Sequence, residues 1–180
     1  MTLPEGLVYQ AGFITEPEEA ALLEHVRAMQ FSEVRMHGVI AKRRTVHLGW
    51  LYGYESWKVT PGPPIPDFLH PLRARAAAVI EVTPEDLAEV LITEYPAGAQ
   101  IGWHRDAPQF GIVIGVSLLG AARMRFRRGE GPARQTAELT LAPRSLYVLD
   151  GPARTEWQHH IPATKEPRYS ITFRTLRRKR

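Results

Sequence analysis

Trp103-His104-Arg105-Asp106 is the part of the chain from which both architecture and chemistry can be inferred. On an extended strand, residues two apart point to the same side, so His104 and Asp106 would present an imidazole and a carboxylate together. A histidine pair further along, His159 and His160, offers a second imidazole from a distant strand. Two histidines and one carboxylate on one side of an ion, with the other side open, are typical of non-haem Fe(II) sites for oxygen chemistry. The motif therefore predicts an iron site.

Two arginines lie six residues apart in the β-like run Arg168-Tyr169-Ser170-Ile171-Thr172-Phe173-Arg174. A guanidinium pairs with a carboxylate through two parallel hydrogen bonds, which an ammonium group cannot reproduce. This run therefore predicts an acidic cosubstrate, and a basic strand face without a ligand is the alternative interpretation. Six residues of strand span about 20 Å, longer than a five-carbon acid, so the two side chains must lean inward or the strand must bend.

Both motifs belong to a longer pattern. It comprises Tyr95 to Asp106, Pro143 to Leu149, Gly151, Arg154, His159 and the run from Arg168 to Arg174. This pattern, which covers about residues 90–176, resembles the AlkB-like Fe(II)/2-oxoglutarate-dependent dioxygenases. A looser similarity over residues 42–54 resembles the nucleotide-recognition lid of that family.

The resemblance implies which residues bind the metal. His104, Asp106 and His159 would be the Fe(II) ligands, with His160 as the alternative for the third position. His159 is preferred because the ligand histidine of the family follows an aromatic residue by one or two positions, as His159 follows Trp157. Three protein ligands leave positions for a chelating 2-oxo acid and for O2, which is why a fourth would block turnover.

The resemblance also implies a site for 2-oxoglutarate. Arg168 would pair with the distal carboxylate of the cosubstrate, and Arg174 would lie near its iron-bound end. Tyr95 and Thr172 would add hydrogen bonds. Thr93 stands where the family often has an asparagine, so its part in binding the cosubstrate is open.

Residues of the lid-like segment are candidates for contacts with the nucleic acid. They are Arg43, Arg44, Trp50, Tyr52 and Tyr54. On a strand the three rings would share one face, where they either stack on an unpaired base or cover the core. Both interpretations stay open.

The function that the resemblance implies is oxidative dealkylation of N-alkylated bases in DNA or RNA, with Fe(II), 2-oxoglutarate and O2 as cofactors. The target base would be flipped out of its stack or presented on a single strand. Ala107-Pro108-Gln109 follows the His-x-Asp motif where many members carry acidic residues that recognise the base, so base preference is not transferred. An RNA-modifying hydroxylase, an oxygenase acting on a protein or small molecule, and a non-catalytic binding module are the alternatives.

Composition is typical of one globular domain over residues 1–180, with 44% hydrophobic and 23% charged residues. The absence of cysteine excludes disulfides and thiolate metal sites. The first residues lack a basic stretch followed by an apolar one, and the chain has no apolar run long enough to span a membrane. We expect a soluble, cytoplasmic monomer that does not bind membranes.

Charge is concentrated at one end of the chain. The net charge is +4, and residues 168–180 include six basic residues, so the remainder is slightly acidic. The tail over residues 177–180 either contacts phosphate, adding affinity that does not depend on sequence, or is a solvated terminus.

The pattern of apolar residues predicts an α+β fold. Thr15 with Glu18 forms a capping box that opens a helix, and a second helix begins near Asp67. Strands are predicted over 90–95, 112–119, 123–127, 136–141, 145–149 and 168–176. Several such strands imply a sandwich or barrel, and the resemblance specifies a double-stranded β-helix (jelly roll) core over 90–176. Residues 1–89 would supply helices packed on the sheet and the lid.

Overall fold

Two antiparallel sheets face each other in the computed structural model, which describes residues 2–36, 38–53, 56 and 58–177. The helices are α1 (Glu16–Arg27), α2 (His70–Val79) and α3 (Gly151–Thr155). The strands are β1 (Leu7–Gln10), β2 (Ser32–Met36), β3 (Val39–Gly53), β4 (Lys58–Pro61), β5 (Leu87–Tyr95), β6 (Ile101–His104), β7 (Phe110–Leu119), β8 (Ala122–Arg128), β9 (Gln135–Leu141), β10 (Leu146–Leu149), β11 (Gln158–Ile161) and β12 (Arg168–Leu176).

The larger sheet has the strand order β1-β10-β7-β12-β5-β3-β2, with β4 paired to β3. The smaller sheet has the order β6-β11-β8-β9. Side chains from both sheets share one apolar cluster, in which Tyr147 and Leu149 of the larger sheet join Met124, Phe126 and Ile161 of the smaller one. This arrangement confirms the predicted jelly-roll core.

The two faces of the larger sheet have different surroundings because residues along a strand alternate. On β5, Val90 and Ile92 pack with α1 and α2 in a second apolar cluster. Leu91, Thr93 and Tyr95 point to the opposite side, into a cavity between the sheets. With both faces covered, β5 and β12 are buried along most of their length.

The predicted helix starts agree with the structure. Thr15 caps α1, since its side chain accepts from the Glu18 backbone while the Glu18 carboxylate accepts from the Thr15 backbone at 2.7 Å. A 3-10 turn over Asp67–Leu69 leads into α2 at His70. No helix of the described residues is long and apolar enough to cross a membrane.

All six predicted strands form, within a few residues at each end. The list of predicted strands lacked the short β1, β2, β4 and β11, which have four or five residues each, and the long β3. A strand at His104, as in β6, was expected from the His-x-Asp motif alone. Residues 1–89 thus supply β1 to β4 as well as helices, and β1 and β3 pair directly with strands of the predicted core. Of the basic tail, only Arg177 is described, and its backbone N–H donates to the Gln109 carbonyl at 2.7 Å.

Gly49 bends β3 where this long strand leaves β5 and continues toward β4. Its φ is +74°, and an added Cβ would overlap the backbone carbonyl of Ala88. Its N–H donates to the Pro63 carbonyl at 2.6 Å, and its own carbonyl accepts from the Gly62 N–H at 2.7 Å. The bend therefore depends both on the positive φ and on the missing side chain.

Gly49→Ala should destabilise the protein more than Gly12→Ala. Gly12 also has a positive φ, +62°, but an added Cβ there would meet nothing within 4 Å. We expect a loss of about 1 kcal/mol for Gly12→Ala from the left-handed conformation, and of about 3 kcal/mol for Gly49→Ala, where overlap adds to it. Urea unfolding followed by circular dichroism measures both. Equal losses would contradict the crowding at Gly49.

Candidate metal and cosubstrate site

Three side chains meet at one end of the cavity between the sheets. His104 is the last residue of β6, and His159 lies opposite it on β11, in the same register pair. Asp106 Oδ1 lies 3.5 Å from His104 Nε2 and 3.6 Å from His159 Nε2. All the candidate ligand atoms lie within 4.8 Å of one another, so these residues could hold a metal ion. The strand ends at His104, so Asp106 reaches the cluster from the following loop and not from the strand that the sequence predicted.

Both imidazoles present Nε2 to the cluster. His104 Nδ1 lies 2.8 Å from the Gly102 carbonyl, an acceptor, so Nδ1 carries the proton and Nε2 is free to bind a metal. Burial lowers the pKa of His159 to about 3. The His159 ring is therefore neutral at physiological pH, as a metal ligand must be.

His160 lies on the other face of β11. Its Nδ1 is 2.7 Å from the Ile101 carbonyl, and its ring lies 5.0 Å from that of Trp103. Neighbouring residues of a strand point to opposite sides, so only one histidine of the pair can reach the cluster. The structure brings His159 there and leaves His160 outside.

Arg174 holds Asp106 in place. Its Nε donates to Asp106 Oδ2 at 2.6 Å, and its Nη1 donates to Glu89 Oε2 at 2.8 Å. Burial would raise the pKa of Asp106, but Arg174 and the two histidines hold that pKa well below its usual range. Because Arg174 takes Oδ2, Oδ1 remains for a metal. The site thus offers two imidazole nitrogens and one carboxylate oxygen, which suit Fe(II).

Arg168 lies at the far end of the cavity from the cluster and is only 1% exposed. Its Nη2 donates to Ser117 Oγ at 2.9 Å, and its guanidinium lies 5.0 Å from the Tyr95 ring centroid. Nε and Nη1 are buried and have no hydrogen-bond partner among the described residues. A buried cation with neutral contacts alone is costly, so this arginine is suited to an anionic ligand.

The other predicted cosubstrate residues line the same cavity. Thr93, Tyr95 and Thr172 all face into it and are buried. Sequence reasoning missed Ser170 and Tyr147, which also line it. The alternation of β12 could have found Ser170, two residues from Thr172, but no sequence signal shows which way β10 faces.

Arg154 fastens the loop that carries Asp106. Its guanidinium donates to the carbonyls of Ala107, Phe110 and Gly111, each at 2.8 Å. The residue is 8% exposed and lies on α3. It belongs to the sequence pattern that we quoted, but its role could not be read without the loop geometry.

Of the lid-like residues, two lie on the same side of the larger sheet as the cavity. Tyr52 packs edge-on against Phe110 with ring centroids 6.3 Å apart, and Phe110 lies 5.6 Å from the Arg174 guanidinium. Arg43 Nη1 donates to the Gln100 carbonyl at 3.1 Å, just before β6. Both residues therefore lie near the strands that carry the cluster.

The structure does not bring the other lid-like residues to this cavity. Arg44 turns to the helix side, where it pairs with Glu94 at 2.6 Å and lies over the Phe31 ring. Trp50 lines a separate open cavity with His70 and Arg73. Trp50 and Tyr52 both follow the bend at Gly49, but their rings have different neighbours, since Trp50 lines the separate cavity and Tyr52 packs against Phe110. Tyr54 lies outside the described residues.

Comparisons with known proteins agree with this geometry. The family model of the 2OG-Fe(II) oxygenase superfamily matches residues 6–174. The chain is 31% identical over 157 residues to the mouse DNA oxidative demethylase ALKBH2, covering 79% of this chain and 64% of that protein. It is 29% identical over 189 residues to the Arabidopsis thaliana alkylated DNA repair protein ALKBH8 homolog, covering 89% of this chain and 51% of that protein. The chain thus spans about half to two thirds of the length of these relatives.

A solved structure, that of OsALKBH1, superposes with a TM-score of 0.75 at 15% identity, covering 97% of this chain and 99% of the other. At that identity the likeness concerns the fold alone. Together with the curated relatives, it confirms the AlkB-like resemblance and the jelly-roll fold that the sequence predicted.

His159→Ala should abolish metal binding, whereas His160→Ala should keep it. We expect the affinity for Co(II), a spectroscopic substitute for Fe(II), to fall by about 100-fold or more in the first variant. His160 points away from the cluster, so its variant should bind within about threefold of the wild type. Titration of Co(II) followed by visible absorption measures both. The reverse order of effects would show that the third ligand is His160.

Proposed function

The chain belongs to the 2OG-Fe(II) oxygenase superfamily, and we propose that it is an Fe(II)- and 2-oxoglutarate-dependent dioxygenase that removes alkyl groups from the bases of nucleic acids. Membership of the superfamily implies Fe(II), 2-oxoglutarate and O2 as cofactor and cosubstrates. A cytoplasmic location and a monomeric state stay predictions from the sequence.

One observation carries the proposal: a cluster of His104, Asp106 and His159 faces the buried Arg168 across a single cavity. The cluster supplies three ligands from the protein and leaves room for others. Arg168 supplies two buried N–H groups without partners. A dicarboxylic 2-oxo acid can bind at both ends of this cavity. Its 2-oxo carboxylate group can chelate a metal, while its distal carboxylate pairs with a guanidinium.

The residues that line the cavity would have distinct binding roles. His104, Asp106 and His159 would hold the iron, and Arg174 fixes which oxygen of Asp106 is presented. Arg168 would bind the distal carboxylate of 2-oxoglutarate, at a position where the guanidinium is buried. When bound, Fe(II) couples the oxidation of 2-oxoglutarate to succinate and CO2 by O2 with hydroxylation of a substrate carbon. When that carbon is an N-methyl group, its hydroxylation gives a hemiaminal, which breaks down to formaldehyde and the unmodified base.

Alkylated DNA is the substrate that we favour, and two observations support it. The mouse and Arabidopsis relatives are named for DNA demethylation and alkylated DNA repair. Tyr52 lies beside Phe110, which contacts Arg174 next to the metal cluster. Aromatic side chains in such a position can stack on an unpaired base. RNA, and substrates that are not nucleic acids, are outcomes that the following experiment distinguishes.

The test is turnover with a panel of methylated oligonucleotides. The protein, with Fe(II) and 2-oxoglutarate in air, should release succinate and formaldehyde in equal amounts from N-methylated single-stranded DNA. Mass spectrometry should show the loss of one methylene from the oligonucleotide for each succinate formed above the background. Faster reaction with methylated RNA would move the assignment to RNA. Succinate formation that no oligonucleotide stimulates would contradict a nucleic-acid substrate.

Tyr52→Ala should weaken the use of the oligonucleotide more than Trp50→Ala. Loss of a ring that stacks on a base should raise KM for the oligonucleotide by about tenfold. Trp50 lines the separate cavity with His70, so its variant is a matched control for loss of an aromatic residue from β3. Steady-state kinetics at saturating 2-oxoglutarate give both values. A larger effect at Trp50 would place the substrate surface on the other side of the sheet.

A further inference from the structure

Tyr147 is a buried residue that lines the cavity. The roles proposed for the metal cluster and for Arg168 do not assign it a function. It lies on β10, between Gly115 of β7 and Tyr9 of β1 in the register of the larger sheet. Its side chain is 7% exposed and lines the same cavity as Arg168 and Asp106. The inner face of β10 therefore places a phenol inside the site that we assign to the cosubstrate.

Gly115 makes the space for this ring. A Cβ added at position 115 would overlap the ring and the hydroxyl oxygen of Tyr147. The neighbours of Gly115 on the same face of β7 are Val113, which lines the cavity, and Ser117, which accepts from Arg168. The missing side chain between them lets the Tyr147 ring lie flat across β7. The glycine is needed here for room, since its φ is not in the left-handed region.

The Tyr147 hydroxyl has no hydrogen-bond partner in the part of the chain that the structure describes, and it is not sealed away from the cavity. Burial raises the pKa of Tyr147 to about 12, although the charge of Arg168 opposes that rise. The phenol is therefore protonated at every pH at which the protein would be assayed. It is a donor that lacks an acceptor.

The spacing of the two arginines shows where an acceptor would lie. On the inner face of β12, only Ser170 and Thr172 separate Arg168 from Arg174, and both have short side chains. Arg174 is already occupied by Asp106 and Glu89, whereas Arg168 has only the Ser117 hydroxyl. A carboxylate has about four acceptor positions, of which the guanidinium fork fills two. Further donors near Arg168 would complete its hydrogen bonding.

We infer that Tyr147 donates a hydrogen bond to the cosubstrate carboxylate that Arg168 binds, and that Gly115 permits this by leaving room for the ring. The inference rests on the proposed function, since it needs a dicarboxylic cosubstrate in this cavity. It makes Tyr147 a binding residue of the 2-oxoglutarate site in addition to Arg168, Tyr95 and Thr172. Loss of the hydroxyl should weaken binding without changing the metal ligands.

The test compares two chelating acids by isothermal titration to the protein loaded with Mn(II), which does not turn over. The dissociation constant of 2-oxoglutarate should rise by about tenfold in Tyr147→Phe, as for loss of a hydrogen bond to a charged group. Oxalate also chelates the metal but is too short to reach Arg168, so its dissociation constant should stay within about twofold. A loss confined to the longer acid assigns the hydroxyl to the distal carboxylate.

Tyr9→Phe is the matched control. It removes the same atom from the residue paired with Tyr147 on β1, but the Tyr9 hydroxyl accepts from the Ala142 N–H at 3.2 Å, and Tyr9 is not among the residues that line the cavity. We expect this variant to bind both acids as the wild type does. Equal weakening of 2-oxoglutarate binding in both variants would show a general effect of losing a hydroxyl, and would overturn the inference.

Gly115→Ala tests the second part of the inference. Its Cβ must displace the ring, so 2-oxoglutarate binding should weaken at least as much as in Tyr147→Phe. Adding Tyr147→Phe to Gly115→Ala should then have little further effect, because the hydroxyl has already left its place. Additive losses would contradict the link between the two residues. If Gly115→Ala does not fold, the comparison of Tyr147→Phe with Tyr9→Phe still decides the role of the hydroxyl.

The titrations also separate this inference from the proposed function. Tight binding of 2-oxoglutarate to the wild type and to Tyr147→Phe alike would overturn the role of Tyr147 and leave the dioxygenase proposal standing. No binding of 2-oxoglutarate to the Mn(II)-loaded wild type would overturn both. Binding of both acids with an equal loss in Tyr147→Phe would place the hydroxyl at the metal end and contradict its pairing with Arg168.

Discussion

The ion pair between Arg174 and Asp106 joins the two sheets at the site. Arg174 belongs to the central strand β12 of the larger sheet, and Asp106 follows β6 of the smaller one. Both side chains are buried, so removing one partner would leave an uncompensated charge, at a cost of about 3–5 kcal/mol. On the neighbouring strand β5, the carboxylate of Glu89 accepts a second hydrogen bond from the Arg174 guanidinium. The same contact therefore closes the sandwich and orients a metal ligand, which ties the geometry of the site to the fold.

Strand alternation explains why the cosubstrate residues that the resemblance implied share one cavity. Thr93 with Tyr95, and Thr172 with Arg174, are pairs two residues apart on central strands, and each pair faces the cavity. The start of α1 was predicted from local capping chemistry, because a capping box needs only residues within four positions. The ligand role of His159 came from the family resemblance, and the register with His104 shows why it reaches the cluster and His160 does not.

The positions of other side chains have physical causes that local patterns do not contain. Arg43 and Arg44 must face opposite sides of β3, but only the packing of the helices shows that Arg44 lies on the outer side, next to Glu94. Trp50 follows the bend at Gly49, so the alternation of the residues before the bend does not predict on which side its ring lies. Strands β6 and β11 are too short to show a pattern, although together they carry two of the three cluster residues.

Arg154 holds the loop after Asp106 through main-chain carbonyls alone. Every residue type has a carbonyl, so the side chains of Ala107, Pro108 and Gln109 are not needed for this attachment. During divergence, the loop is free to change the surface it shows to a ligand while the carboxylate beside it keeps its position. The recognition part of the molecule can thus vary independently of its reactive centre.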